Sequence, residues 1–213
     1  MAFPFPAWAH GALPRRPRAL GLLPVFMLSL LLLLAACQPA ETPARFRGLD
    51  LTGAAYGRDF RLLDPEGRER TLADFRGKAV LLYFGFTQCP DVCPTALIRA
   101  ADVKKRLGAE GDRLQVVFVT VDPERDTGPV IREYTAAFDP TFLGLHGDAK
   151  RTRETADEFK VYYKKVPTGG SYTMDHSALS YVFDPQGHLR LALRHEQDAA
   201  DYAHDIALLL AGK

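Results

Sequence analysis

The chain holds 213 residues, 47% of them hydrophobic and 25% charged, which fits one domain with room for an extension. That composition excludes a disordered, collagen-like or repeat protein. Its 27 Lys and Arg against 26 Asp and Glu leave a net charge of +1, no basic surplus for a nucleic-acid partner, and three Cys are too few for a disulfide scaffold.

Residues 1–19 carry Arg15, Arg16 and Arg18 without an acidic residue, and residues 20–36 are almost wholly apolar. A positive region followed by a short apolar one reads as a secretory signal. The run ends in Leu34-Ala35-Ala36-Cys37, which resembles the lipobox of bacterial lipoproteins. The resemblance implies that Cys37 becomes the lipidated first residue of a protein anchored in a bacterial cell envelope, its domain facing the periplasm or extracytoplasmic space. The other reading is an uncleaved signal anchor, although the run is near the lower limit for a spanning helix and is broken by Pro24 and Ser29. Removing residues 1–36 leaves 24 basic against 26 acidic residues, with Met174 as the last Met and Cys89 and Cys93 as the Cys beyond the anchor. Residues 37–57, with Pro39, Pro43, Gly48, Gly53 and Gly57, read as the lipidated Cys and a tether. The domain is expected over 58–213.

That domain begins with extended stretches at Asp59–Asp64 and Arg70–Leu72 around the turn Pro65-Glu66-Gly67. The continuous apolar run Ala79–Phe86 predicts a strand covered on both faces, as does Leu114–Val121. Helices are expected at Pro94–Leu107, Val130–Phe138 and Asp148–Lys160, with a short strand at Phe142–Leu145 and an extended segment at Val161–Val166. Gly169-Gly170 marks a loop, Ser177–Asp184 and Leu189–Leu193 read as a hairpin, and Asp198–Leu210 as a closing amphipathic helix. The order implies an α/β fold with a mixed central sheet flanked by helices.

The chemistry centres on Thr87-Gln88-Cys89-Pro90-Asp91-Val92-Cys93-Pro94, a loop leaving the carboxyl end of a buried strand and entering a helix. Pro94 suits the first turn of that helix, which places Cys93 at or near the N-cap, where the helix dipole lowers a thiol pKa. A thiolate is both a metal ligand and a nucleophile, so the pair alone does not choose between copper binding and disulfide exchange. Asp122, in Asp122-Pro123-Glu124-Arg125-Asp126-Thr127, follows the second buried strand and is expected at the same sheet edge, as a turn residue or a supporting carboxylate; Asp126 or Thr127 suits a cap of the next helix. His176, in Met174-Asp175-His176, would reach that edge if the next strand runs antiparallel to the one ending at Phe86.

Cys89-Pro90-x-x-Cys93-Pro94, Val121–Thr127 and Asp175-His176-Ser177 together resemble the motifs of the Sco/SenC copper-chaperone family, over roughly residues 45–211. The resemblance implies a thioredoxin-like fold that binds one copper through Cys89, Cys93 and His176, with Asp122 supporting. It also implies a part in assembling the Cu-A centre of cytochrome c oxidase subunit II, with a thiol reductant protein and other copper carriers as further partners. Donor chemistry agrees: thiolates suit Cu(I), and imidazole suits Cu(I) or Cu(II). Met174 is a soft donor expected to point elsewhere. The competing class is an enzyme, an exported thioredoxin-like thiol-disulfide oxidoreductase, whose approach Gly77–Phe84 resembles; such enzymes carry C-x-x-C, whereas the spacing here is C-x-x-x-C.

Overall fold

The structure is a computed structural model that describes Met1 and residues 45–213. Residues 2–36 of the leader, Cys37 and residues 38–44 of the expected tether lie outside the described residues. Among the described residues, no helix is long and apolar enough to cross a membrane.

Among the described residues, ten strands and four α-helices follow one another. They are β1 (Leu49–Asp50), β2 (Leu62–Leu63), β3 (Glu69–Arg70), β4 (Ala79–Gly85), α1 (Val92–Leu107), β5 (Leu114–Thr120), α2 (Gly128–Ala136), β6 (Leu143–Leu145), α3 (Ala149–Glu158), β7 (Tyr163–Thr168), β8 (Ser171–His176), β9 (Ser180–Phe183), β10 (Leu189–Leu193) and α4 (Ala199–Leu210). The central sheet has six strands in the order β1-β10-β9-β4-β5-β6. The β4–β5 and β5–β6 pairs are parallel, whereas β9 runs antiparallel to β4. The mixed sheet expected from the element order is therefore present.

Physical reasons for these elements are local where the sequence made them legible. Every residue of β4 is buried, because both faces of the strand are covered. On one face Tyr83 meets Phe118 and Gly85 lies against Cys93 of α1; on the other, Phe84 meets Phe159 and Tyr181. Asp148 and Asp198 cap α3 and α4 by accepting from the N–H groups of Arg151 and Asp201. Alongside α1, α4 carries Tyr202, whose hydroxyl donates to the Arg194 carbonyl and lies 3.3 Å from the Ser180 hydroxyl.

Three local expectations change. Residues 45–57, read as tether, are built into the domain: β1 pairs with β10, and the N–H groups of Arg47 and Gly48 donate to the buried carboxylate of Asp205 on α4. Periodicity could not show this, since the partners stand some 150 residues away in the chain. The segment around Gly169-Gly170 is the turn of a second hairpin, β7–β8, separate from the central sheet. The strand expected from Ser177 begins at Ser180, and His176 instead ends β8.

Candidate metal centre

Parallel pairing aligns Gly85 with Thr120, so the loops following β4 and β5 leave the sheet at the same edge. The first carries Cys89 and leads into α1; the second carries Asp122, Arg125 and Asp126. From the opposite direction β8 brings His176 to the same edge, since β9 runs antiparallel to β4 and begins beside Tyr83. Cys89 and Cys93 sulfurs and a ring nitrogen of His176 lie within 4.8 Å of one another. Both cysteines are free thiols.

His176 Nε2 stands 3.5 Å from Cys93 Sγ, and Nδ1 stands 2.9 Å from the Ser177 carbonyl oxygen. A carbonyl only accepts, so Nδ1 carries a proton and Nε2 is the ring nitrogen that faces the sulfurs. The ring packs edge-on against Tyr83 and Phe86 at centroid distances of 6.2 and 5.8 Å, which fixes its plane. Tyr83 donates its hydroxyl to Cys93 Sγ at 4.0 Å. Phe86, Cys89, Pro90, Val92, Tyr162 and His176 line an open cleft of about 400 Å³, so Cys89 and His176 are reachable while Cys93 is 0% exposed.

The helix places its cysteines differently from the expectation. With Asp91 at the N-cap, α1 starts at Val92, so Cys93 is the second helical residue and Pro94 the third. Cys89 Sγ, just outside the helix, accepts from the Cys93 N–H at 3.4 Å. The low-pKa thiol is accordingly Cys89, not Cys93. The Cys93 thiol donates to Cys89, and against the opposing effect of burial the backbone N–H groups of Asp91 and Cys93 and the charge of His176 also help bring its pKa down to about 5. Sharing that hydrogen bond with Cys89 and lying buried push Cys93 up. A deprotonated Cys89 attacks electrophiles and a protonated one does not. Iodoacetamide is thus expected to alkylate Cys89 of the reduced, metal-free protein at a rate that rises through about pH 5 and is level above pH 7. Cys93 should stay protected. Mass spectrometry of the labelled peptide checks this, and a rate still climbing near pH 9 would contradict it.

Asp122 is 2% exposed and both its oxygens are engaged. One accepts from Tyr172 on β8 at 2.9 Å, and the other forms an ion pair with Arg125. Sequence reasoning missed what surrounds it. Asp126 does not cap α2: Thr127 holds that position without a side-chain bond. Asp126 turns inward instead, accepting from the backbone N–H and hydroxyl of Thr87 and from the Thr120 hydroxyl. That ties the start of the Cys loop to the end of β5. Burial pushes its carboxyl up in spite of these donors. Met174 is buried and packs into the core.

Two soft sulfurs and one imidazole lone pair make a three-donor set fitted to a thiophilic ion that also tolerates nitrogen. Structural zinc sites normally close with a fourth protein ligand, and no fourth His, Cys, Asp or Glu joins this group among the described residues.

The SCO1/SenC family model matches residues 50–211. A mitochondrial SCO2 homologue of Bos taurus is 45% identical over 142 residues, 64% of this chain and 53% of that protein, so the chain spans about half the length of such curated relatives. Among solved structures, ScoI of Bradyrhizobium japonicum with copper bound is 38% identical with a TM-score of 0.67, covering 73% of this chain and 99% of that one. Apo Sco1 of Thermus thermophilus is 38% identical with a TM-score of 0.71, covering 79% and 99%. The fold is thioredoxin-like.

Proposed function

Because the chain belongs to the SCO1/SenC family, we propose that it is a membrane-tethered extracytoplasmic copper chaperone that holds one copper ion as cargo and delivers it to the Cu-A site of cytochrome c oxidase subunit II. The observation that carries this reading is the convergence of Cys89, Cys93 and His176 within 4.8 Å at one sheet edge. Its support from relatives is the copper-bound ScoI structure and the description of Sco proteins as cytochrome c oxidase assembly proteins.

In this reading each residue has a separate task. Cys93, buried beneath the cleft, is the fixed ligand. Cys89, half-buried and thiolate at neutral pH, meets the ion first and is the first that an acceptor's thiolate displaces. His176 adds a donor usable by either copper state and sits on a hairpin outside the central sheet. Asp122 supports the site through that hairpin, by its bond to Tyr172. A cargo site must also release its ion, and an open cleft lets incoming ligands replace the resident ones in turn.

The half-exposed thiolate beside a buried thiol also favours an accessory activity. Cys89 would attack a target disulfide, giving a mixed disulfide; Cys93 would then release the target as a dithiol and leave a Cys89–Cys93 disulfide. A thiol reductant protein would restore the pair.

The test is Cu(I) titration of the reduced protein against a competing chelator. One tightly held copper per chain is expected. His176→Ala should weaken it about 10- to 1000-fold, one ligand's share of a thiolate site, while leaving thermal unfolding unchanged. Wild-type affinity in that variant would remove His176 from the site. Anchoring is tested separately: Cys37→Ala should accumulate unprocessed precursor in a bacterial host, and normal maturation there would sink the lipoprotein reading.

A further inference from the structure

The hairpin that carries His176 pairs with nothing in the central sheet. A two-stranded hairpin is at best marginally stable alone, so its position rests on side chains. Along β8, Tyr172, Met174 and His176 share one face, by the two-residue period of a strand. Met174 is buried in the core and His176 reaches Cys93. Tyr172, four residues before His176, is gripped at both its ring and its carbonyl by Arg125.

We propose that Arg125 is a positioning residue for His176: it clasps the β7–β8 hairpin to the Cys loop and so sets how firmly the third ligand is seated. This deepens the copper-carrier reading and rests on it. Three segments meet at the Arg125 guanidinium. Its Nε pairs with Asp122 on the loop after β5. Nη1 donates to Gln88 Oε1 in the Cys loop at 3.1 Å and to the Tyr172 carbonyl in β8 at 2.9 Å. The guanidinium carbon lies 3.7 Å from the Tyr172 ring centroid and 6.0 Å from that of Phe86, the ring that packs edge-on against His176.

The clasp is reinforced from two sides. Tyr172 donates its hydroxyl to the same Asp122, and Lys165 on β7 lies 3.9 Å from the Tyr172 ring while pairing with Glu124. Arg125 Nη2 is buried without a hydrogen-bond partner among the described residues. What holds the group is therefore the stack and the bonds made by Nε and Nη1. A lysine keeps the charge but has neither the flat face nor the fork to make both.

A double-mutant cycle in the full chain separates positioning from general damage. The variants are Arg125→Lys, His176→Ala and the two combined, each titrated with Cu(I) against a chelator, with thermal melting of the metal-free protein recorded alongside. Arg125→Lys is expected to lose about tenfold or more in affinity. Combined with His176→Ala it should lose no more than His176→Ala alone, because a missing ligand cannot be mispositioned. Wild-type affinity in Arg125→Lys, or losses that simply add, would overturn the clasp. If Arg125→Lys does not fold, Tyr172→Phe, which removes only the hydroxyl bond to Asp122, enters the same cycle with a smaller expected loss and the same criterion. A normal affinity in His176→Ala overturns the ligand assignment itself, whereas a weakened His176→Ala beside an unaffected Arg125→Lys overturns the clasp alone.

Discussion

Cys89→Ser is expected to abolish tight Cu(I) binding while leaving the fold intact. Cys89 is half-buried at the cleft, and serine differs from it by one atom, so packing changes little. The ligand changes far more: a soft thiolate becomes a neutral hydroxyl with little affinity for a soft ion. Structural zinc in zinc-finger peptides binds with about 10–16 kcal/mol, or about 2.5–4 kcal/mol for each of four ligands, and a thiolate in a soft-metal site is worth a similar share. Loss of Cys89 should thus weaken binding about 100- to 1000-fold. The remaining Cys93 also loses its hydrogen-bonding partner, and it was that sharing and burial which raised its pKa. Chelator competition and a melting curve check both parts. A variant that still held copper tightly would place the metal elsewhere.

Gly85→Ala should damage both stability and the site. A Cβ at this position would stand 2.8 Å from the Phe118 ring, 2.9 Å from Cys93 Sγ and 3.1 Å from the Tyr83 ring. All three are buried, and two of them frame the ligand pair. The backbone at Gly85 is ordinary strand, so the penalty comes from contact and not from conformation. Overpacking of this kind costs about 1–3 kcal/mol, which lowers the melting temperature by about 2–12 °C in a domain of this size. The sulfur can retreat only by shifting the first turn of α1, which moves Cys93 away from His176. Copper affinity should consequently fall by about tenfold or more, beyond what the loss of stability alone would cause. Unchanged melting and affinity would mean that β4 relaxes freely at its end.

The buried strands were legible because their apolar runs are continuous: Ala79–Phe86 and Leu114–Val121 became β4 and β5, each shorter by its last residue. Capping aspartates made α3 and α4 readable for the same local reason. Of the β7–β8 hairpin only the extended segment of β7 and the turn at Gly169-Gly170 were legible; its pairing with Ser171–His176 was not, since Tyr163–Thr168 carries Lys164, Lys165 and Pro167 and shows no buried face of its own. Nor was the role of Asp126, which follows four residues after Asp122 in an ordinary turn and ties in Thr87, 39 residues upstream, as well as Thr120.

The sequence by itself determined which atoms are available: two thiols with three residues between them at a strand-to-helix junction, an imidazole before a late strand, and the motif order that marks the family. Tertiary structure decided the rest. It assigned the low pKa to Cys89, because the Cys93 thiol and the N–H groups of Asp91 and Cys93 donate to that sulfur where α1 begins. It turned Asp122 toward Arg125 and Tyr172, and it put His176 on a hairpin that only side chains hold in place. Residue identity is local and can be read along the chain. The anchoring of Asp122 and the seating of His176 depend on groups 50 to more than 80 residues apart, and folding alone brings them together.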